Sequence, residues 1–375
     1  MNVAKIFDYK SIGIIGYGTK FRGIGGRLKQ RPEDFVVAEI LKQDSRSIVR
    51  RRGTGYPLYV MSKRNTDVLT AKKVIEQSLG FRINLLGLKD KRAVTHQFVS
   101  SRTKASPRSN YYSSSVKCVH IVDTARPLTR RDLLANSFDV KITGCTLDNE
   151  AFHSITDALM NLEIPNFFGV QRFGSLHPNH LIGRLIVKRK FKEAASMLSA
   201  SNEEPLTVLR RVPLRLRRLY ISAYQSFLFN KCLSRLLLNG GLPKTTHNEV
   251  LMRFRKDVPW VDETIVTRMQ SSSSPDYAFV QMCPMPGYSF RSRDNDYWKA
   301  MEDVLREEGV RPSDFFVKDL QEVSAEGGLR AASMVGWIRK CDLDNESRMK
   351  FILYKGEYAT ILLRELMKSE TTNQT

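Results

Sequence analysis

The sequence predicts a mixed fold, α/β in the α+β sense. Strand-like and helix-like stretches alternate along a chain long enough for two domains, or for one domain carrying a large insertion. Two periodicities carry that expectation. Apolar residues recur at every second position in AVTHQFVS (93–100), as on a strand, and at three- and four-residue spacing in TDVLTAKKVIEQSLG (66–80), as on a helix face. A hydrophobic fraction of 42% with nineteen Phe supplies real cores and separates the chain from disordered basic proteins. No internal repeat is visible.

Residues 11–30, SIGIIGYGTKFRGIGGRLKQ, are rich in glycine but form no phosphate-loop motif. Gly18 and Gly23 have the outer spacing, yet Ile24 and Gly25 stand where Lys and Ser/Thr are required. A dinucleotide fingerprint begun at Gly16 and Gly18 fails because Phe21 fills its third place. RPEDFVVAEI (31–40) places a short strand after a Pro-Glu-Asp turn, with Phe35, Val37 and Ile40 as its apolar residues. Val68, Leu69, Ala71, Val74, Ile75 and Leu79 then make a helix face, capped at Thr66 or Asp67 and closed by Gly80. Residues 83–88 lead into GLKDKRAVTHQF (87–98), whose second half alternates as a strand, so Asp90 falls at a loop-to-strand junction. Such a junction can hold a side chain rigidly while leaving it open to a ligand.

FDVKI (138–142) reads as a strand, and Phe152, Ile155, Leu159 and Leu162 as the helix face that delivers IPNFFGVQRFG (164–174). Residues 191–198 make another short helix. VLRRVPLRLRR (208–218) is a basic entry to a long helix, on which Leu219, Ala223 and Phe227 share a face and which Gly240 and Gly241 end. Tyr220, Tyr224 and Phe227 belong to the core by helical spacing. QSSSSPD (270–276) reads as a flexible loop, and Trp298, Met301 and Leu305 mark a helix stopped by Gly309. MKFILYKGEYATILLRELMK (349–368) closes the chain as strand, turn and helix, before a frayed SETTNQT tail.

Charge is the outlier. Sixty Lys and Arg against 39 Asp and Glu leave a formal +21. That surplus favours a polyanionic partner, since each phosphate neutralised releases bound counterions. No apolar run reaches the roughly 20 residues of a membrane-spanning helix. Asp8 and Lys10 interrupt the stretch where a signal peptide would need an apolar core, so a cytoplasmic chain with no membrane contact is expected. The five cysteines show no CxxC pair, and His177 and His180 lack further ligands at metal spacing. Neither a disulfide framework nor a metal site nor a bound cofactor is expected.

Two constellations can carry chemistry. In the first, Asp90 stands among Lys89, Lys91 and Arg92. Neighbouring cations stabilise the ionised carboxylate, which can then act as nucleophile or base while the cations grip phosphates; a surface ion-pair cluster would look the same from spacing alone. In the second, Phe167, Phe168 and Phe173 are interleaved with Asn166, Gln171 and Arg172. Rings to stack on, amides to read base edges and a cation for phosphate are what a pocket for an unstacked base needs, although a core turn with outward polar residues fits as well.

Over nearly its whole length the sequence resembles the TruD family of pseudouridine synthases. The matching stretches, in family order, are GIGGRLKQRPEDFVVAEI, SKRNTDVLTAKKVIEQSLG, GLKDKRAVTHQF, IPNFFGVQRFG, SAYQSFLFN and KGEYATILLRELMK. The compact length and the GIGG element look archaeal. The resemblance implies a catalytic domain on a mixed, largely antiparallel sheet, formed by residues 1–191 and 330–375, with a family-specific α/β insertion at 192–329. It implies that Asp90 is the single catalytic aspartate and that Phe168 packs against the target base. It further implies that Asn166 is the motif's amide and that Lys29 is the lysine preceding the Pro-Glu-Asp-Phe turn. Lys89 and Arg172 complete the expected substrate-binding set. The expected substrate is transfer RNA, typically at uridine 13 of the D-arm, with no cofactor and no protein partner, acting as a monomer. Three departures touch accessory positions: Phe167 where the family has tyrosine, Glu357 where it has serine, and Arg330 followed by Ala331 where it has an arginine pair. The arginines of VLRRVPLRLRR are either phosphate contacts or a solvated face. A non-catalytic RNA-binding protein or RNA chaperone would explain the charge and the aromatics without needing Asp90. A methyltransferase would need the glycine-rich cofactor loop that is missing.

Overall fold

The computed structural model describes residues 8–42, 49–50, 55–104, 108–145, 149–174, 178–200, 202–244, 246, 248–255, 264–267, 277–342 and 348–368. The expected loop at 270–276, His177 and the 369–375 tail lie outside them.

Among the described residues, ten strands form the main sheet: β1 (Phe35–Leu41), β2 (Val49–Arg50), β3 (Tyr56–Arg64), β4 (Ile83–Leu85), β5 (Val94–Ser101), β6 (Tyr111–Tyr112), β7 (Val116–Thr124), β8 (Leu133–Lys141), β9 (Gly336–Asp342) and β10 (Arg348–Tyr354). Their order is β9-β10-β8-β1-β5-β3-β7-β2, with β4 also on β5 and β6 also on β7. Every pairing among them is antiparallel except β1 with β5, where Val36 faces Val94 and Ala38 faces His96. The sheet is thus mixed and largely antiparallel, as expected.

That one parallel pair decides which segments share a rim of the sheet. Parallel strands are entered from the same end, so the segment before β1, with Lys29, and the segment before β5, with Asp90, emerge on one rim of the sheet. Strand β3 runs antiparallel to β5 with Lys63 opposite Thr95, so it ends at that same rim. Helix α1 (Val68–Leu79) follows at once. The Asp67 carboxylate accepts from the amides of Leu69 and Thr70, and Gly80 closes the helix in the left-handed region, as the sequence suggested. Leu69 departs from the expected face: it is 51% exposed, while Val68, Ala71, Ile75 and Leu79 pack against Tyr59 and Met61.

Further helices are α2 (Asn149–Met160), α3 (Asn179–Val187), α4 (Phe191–Ser196), α5 (Pro205–Arg211), α6 (Leu214–Leu238), α7 (Asp296–Glu308) and α8 (Ala359–Met367). A second, four-stranded antiparallel sheet takes its strands from 250–255, 264–267, 277–285 and 328–331. One apolar core runs from Ile12 to Met367 and includes Leu228, Trp298 and Phe315 of the expected insertion.

Helix α6 lies within that core rather than on its edge. The sequence suggested a single apolar face through Leu219, Ala223 and Phe227. Instead Leu219 and Phe227 are half-buried, while Ala223, Tyr224, Leu228, Phe229, Cys232 and Leu233 are buried on several sides. The cause is that α3, α7 and the second sheet all pack on α6, so little of its middle is left to solvent. The basic entry is also partly accounted for. Arg210 donates to the Asp319 carbonyl at 3.1 Å, Arg218 donates to that of Glu322 at 3.0 Å, Arg211 pairs with Glu203 and Arg217 with the Glu322 carboxylate.

The glycine-rich N-terminal stretch cannot cradle a phosphate here, because a carboxylate of the chain itself takes its amides. Buried Glu365 of α8 accepts from the backbone N–H of Gly18 at 3.1 Å and of Thr19 at 3.3 Å.

Where α3 crosses α6, a Cβ on Gly183 would lie 2.1 Å from the Tyr220 carbonyl oxygen. Gly183→Ala should therefore push two core helices apart and lower stability by about 1–3 kcal/mol, measured by urea unfolding.

Candidate active site

Asp90 stands at the rim that the parallel pair defines, with 21% of its side chain exposed. Both carboxylate oxygens are held. Lys29 Nζ reaches Oδ2 at 2.5 Å, and the Gln171 amide nitrogen donates to Oδ1. Lys29 does this from a left-handed backbone conformation, φ 55°, with its ammonium 4.3 Å from the Phe35 ring centroid. A non-glycine residue in that region carries backbone strain, which the ion pair and the ring contact offset. From below, the Lys63 ammonium donates to the main-chain carbonyl of Asp90 at 2.5 Å.

In front of Asp90 lies a groove of about 540 Å³, lined by Lys29, Asn65, Asp90, Lys91, Arg92, Val170, Gln171 and Thr360. That volume suits one nucleotide-sized ligand. Asp90 is the one carboxylate among these lining residues, and Lys29, Lys91 and Arg92 supply cations around it.

Lys89, expected to touch substrate, is turned the other way. Its side chain is only 9% exposed, and its ammonium pairs at 2.7 Å with Glu39, whose side chain is fully buried. The other Glu39 oxygen accepts from the Phe98 amide at 2.9 Å, just past the β1–β5 ladder. Glu39 therefore occupies a core-facing position of β1 in the series Phe35, Val37, Glu39, Leu41, whereas Ile40, which the sequence suggested as apolar core, is half-buried. The pair staples the loop on one side of Asp90 to the sheet. The charge Lys89 carries is spent inside the protein.

The second motif forms the opposite wall. Asn230, buried in the middle of α6, accepts from the Phe168 amide at 2.8 Å and donates to the carbonyls of Phe168 at 3.1 Å and Ile12 at 2.9 Å. The backbone turn is thus fixed by a side-chain amide that satisfies both main-chain groups of one residue. Gly169 lets the turn approach α8: a Cβ there would lie 2.9 Å from the Tyr358 ring and 3.1 Å from the Thr360 hydroxyl. Two residues on, Gln171 reaches Asp90.

Phe168 itself is buried, walled in by its neighbours. The Arg330 guanidinium lies 4.1 Å from its ring centroid, Phe229 meets it edge-on at 5.4 Å, and Arg172 stands at 5.7 Å while bonding Ser226. Asn166 is buried too, and its side-chain oxygen accepts from Arg330 at 2.5 Å. Lys29, Asp90 and Gln171 thus meet in one cluster, Phe168, Asn166 and Arg172 form the layer behind it around Arg330, and Lys89 belongs to neither.

The sequence alone offered Gln171 only as one of the amides of the second motif and Arg330 only as an accessory position, and did not point to Lys63 at all. Arg330 donates to the carbonyls of Asn166 and Gly356 as well as stacking on Phe168. Burial pushes its guanidinium down to about 10, because rings and carbonyls replace the water around it. Its signal was the isolated arginine at the expected pair. The signal for Lys63 was register: in YPLYVMSKR it follows buried Tyr59 and Met61 at period two. Two departures from the family pattern find a place. Phe167 is fully buried, where a hydroxyl would need a partner. Glu357 accepts from the amides of Val335 at 2.6 Å and Tyr354 at 2.9 Å, fixing the turn before α8.

Among the described residues no three His, Cys, Asp or Glu gather as a metal site, and no helix is long and apolar enough to cross a membrane.

Comparison with known proteins gives one family. Its model, tRNA pseudouridine synthase D (TruD), matches residues 11–206 and 196–366. Among curated relatives, "Probable tRNA pseudouridine synthase D" of Thermococcus onnurineus is 29% identical over 92% of this chain and 95% of its own. The protein of the same name from Archaeoglobus fulgidus is 28% identical over 96% and 99%. A crystal structure of the "Putative tRNA pseudouridine synthase D (TruD)" from Methanosarcina mazei superposes with a TM-score of 0.72 at 25% identity and covers 97% of this chain and 98% of that one. The chain belongs to the tRNA pseudouridine synthase D (TruD) family.

Proposed function

We propose that this protein isomerises a uridine of transfer RNA to pseudouridine, with Asp90 as its catalytic carboxylate and uridine 13 of the D-arm as its target. The observation that carries this reading is the held, partly exposed Asp90 in a cation-lined groove of nucleotide size. The family and the formal charge of +21 support transfer RNA as the polyanion.

The reaction exchanges one bond to the sugar for another. The bond from C1′ to N1 breaks, the uracil turns, a bond from C1′ to C5 forms, and the proton lost from C5 balances the one gained at N1. Whether the first step is attack on C1′ or removal of a sugar proton to leave a glycal, the working atom is an Asp90 oxygen. Lys29 and Gln171 keep that carboxylate at one angle toward the sugar. The target must leave its stack to reach it, at a cost of a few kcal/mol that base stacking and phosphate contacts offset. Phe168, backed by Arg330, stiffens the wall the freed base turns against. We further propose that residues 192–329 are a family-specific insertion and that RNA lies across the Lys29–Lys91–Arg92 rim.

Asp90→Asn should abolish pseudouridine formation, a loss of at least about 10³-fold, while transfer-RNA affinity stays within about threefold. The test is chemical mapping of pseudouridine on unmodified transfer RNA beside a filter-binding titration. Retained turnover would refute the role of Asp90, and binding without turnover in the wild type would favour a non-catalytic RNA-binding protein. Arg330→Met should remove the donor on which the Asn166 side chain and the carbonyls of Asn166 and Gly356 depend. It is expected to lower stability by about 2–3 kcal/mol in urea unfolding and kcat/KM by about tenfold or more.

A further inference from the structure

We infer that Lys63 is a positioning residue: its buried ammonium fixes the main-chain carbonyl of Asp90, and so sets the angle at which the carboxylate faces the groove. The inference rests on the catalytic role proposed for Asp90 and adds to it a residue that does not touch substrate.

Lys63 lies where a charge is least expected. It is 1% exposed, at a core-facing position of β3 directly after Tyr59 and Met61, where a methionine or leucine would be ordinary. A buried ammonium destabilises a fold unless it is paired and fully hydrogen-bonded. Its contact here is a carbonyl oxygen, at 2.5 Å, and among the described residues no carboxylate lies within ion-pair distance of it. A lone bond to a neutral acceptor does not offset that desolvation, so stability alone does not explain this lysine.

What the bond does achieve is local. The loop 87–93 is tied at Lys89 to Glu39 and at Asp90 to Lys63 through the backbone, while the Asp90 carboxylate is held by Lys29 and Gln171. Three cations from three separate segments therefore bracket one residue. Lys63 is the one that acts on the main chain and takes neither carboxylate oxygen.

The charges that act on Lys63 are Asp90 in the loop above it, Asp67 at the start of α1 and Lys89 in the same loop. Burial outweighs the two carboxylates and lowers its pKa from the ordinary 10.5 to about 8. Below pH 8 the ammonium is charged in the folded protein and its burial cost is fully present; between about 8 and 10.5 that cost is relieved and the fold gains stability. The charge-assisted grip on Asp90 is lost over the same interval. Stability and turnover should therefore move in opposite directions as pH rises, a combination that a merely structural lysine would not produce.

The test compares wild type, Lys63→Met and Lys63→Gln at full length, using amide exchange of residues 87–93, thermal unfolding, and the pH profile of kcat on transfer RNA. For Lys63→Met the expected result is a melting temperature equal to or above wild type and exchange in 87–93 faster by about tenfold. Its kcat should fall by about tenfold or more with KM within about threefold, and the alkaline fall of kcat centred near pH 8 should disappear. Lys63→Gln, which keeps a donor without the charge, should restore part of kcat with no alkaline fall near pH 8. Unchanged exchange with kcat within about twofold of wild type would overturn the inference, as would a melting temperature that falls together with kcat. The exchange readout needs no turnover. A wild type that forms no pseudouridine, with loop exchange still dependent on Lys63, would therefore sink the proposed function and leave the positioning contact standing.

Discussion

The site depends on the parallel pairing of β1 with β5 inside an otherwise antiparallel sheet. An antiparallel partner in that place would carry Lys29 and Asp90 to opposite ends of the strands. The parallel ladder is short, spanning Val36 to Ala38 against Val94 to His96, and Glu39 extends it by taking the Phe98 amide on its carboxylate. A buried acid thus finishes a backbone ladder and at the same time clamps Lys89 beside Asp90. Topology and electrostatics are joined at one residue.

Buried charge is the recurring device. Glu39, Lys63 and Glu365 are held inside the protein: Lys63 and Glu365 bond to backbone that lies outside any strand or helix, and Glu39 takes an amide of β5 while pairing with Lys89 of the adjoining loop. Such groups are costly to desolvate, and apolar replacements of similar volume can be as stable. Their common effect is to choose one conformation for a loop or a terminal arm that a purely apolar core would leave with several. Asn230 does the same without charge, using both ends of its amide on Phe168.

Much of this was legible from residues alone, and the rest was hidden for physical reasons. Period-two and period-3.6 patterns marked β5, α1 and α7, because burial on one face leaves a periodic trace. The cap at Asp67 and the stops at Gly80 and Gly309 were legible since their backbone chemistry is local. Asp90 could be singled out only through the resemblance of GLKDKRAVTHQF to a family motif, since a lone acid among cations is also what an ordinary surface ion-pair cluster looks like. The direction of Lys89 could not be foreseen, because its partner lies fifty residues away and sits at a position that reads as core. Arg330 was hidden for a similar reason: its importance comes from Phe168 and Asn166, brought to it only by the fold. The one-sided reading of α6 failed because spacing shows which residues are apolar, and not how many neighbours surround the helix.

The groove draws its walls from widely separated parts of the chain: Lys29 before β1, Asp90 before its parallel neighbour β5, Gln171 beyond α2, and Thr360 on α8. During synthesis the first three leave the ribosome long before the fourth. A nascent chain whose α8 is still in the exit tunnel therefore has Asp90 but only part of the cleft, and Gly18 and Thr19 wait without the Glu365 carboxylate that ties them down. The groove is consequently complete only after Thr360 has emerged and α8 has docked, the latest of its walls in the order of synthesis.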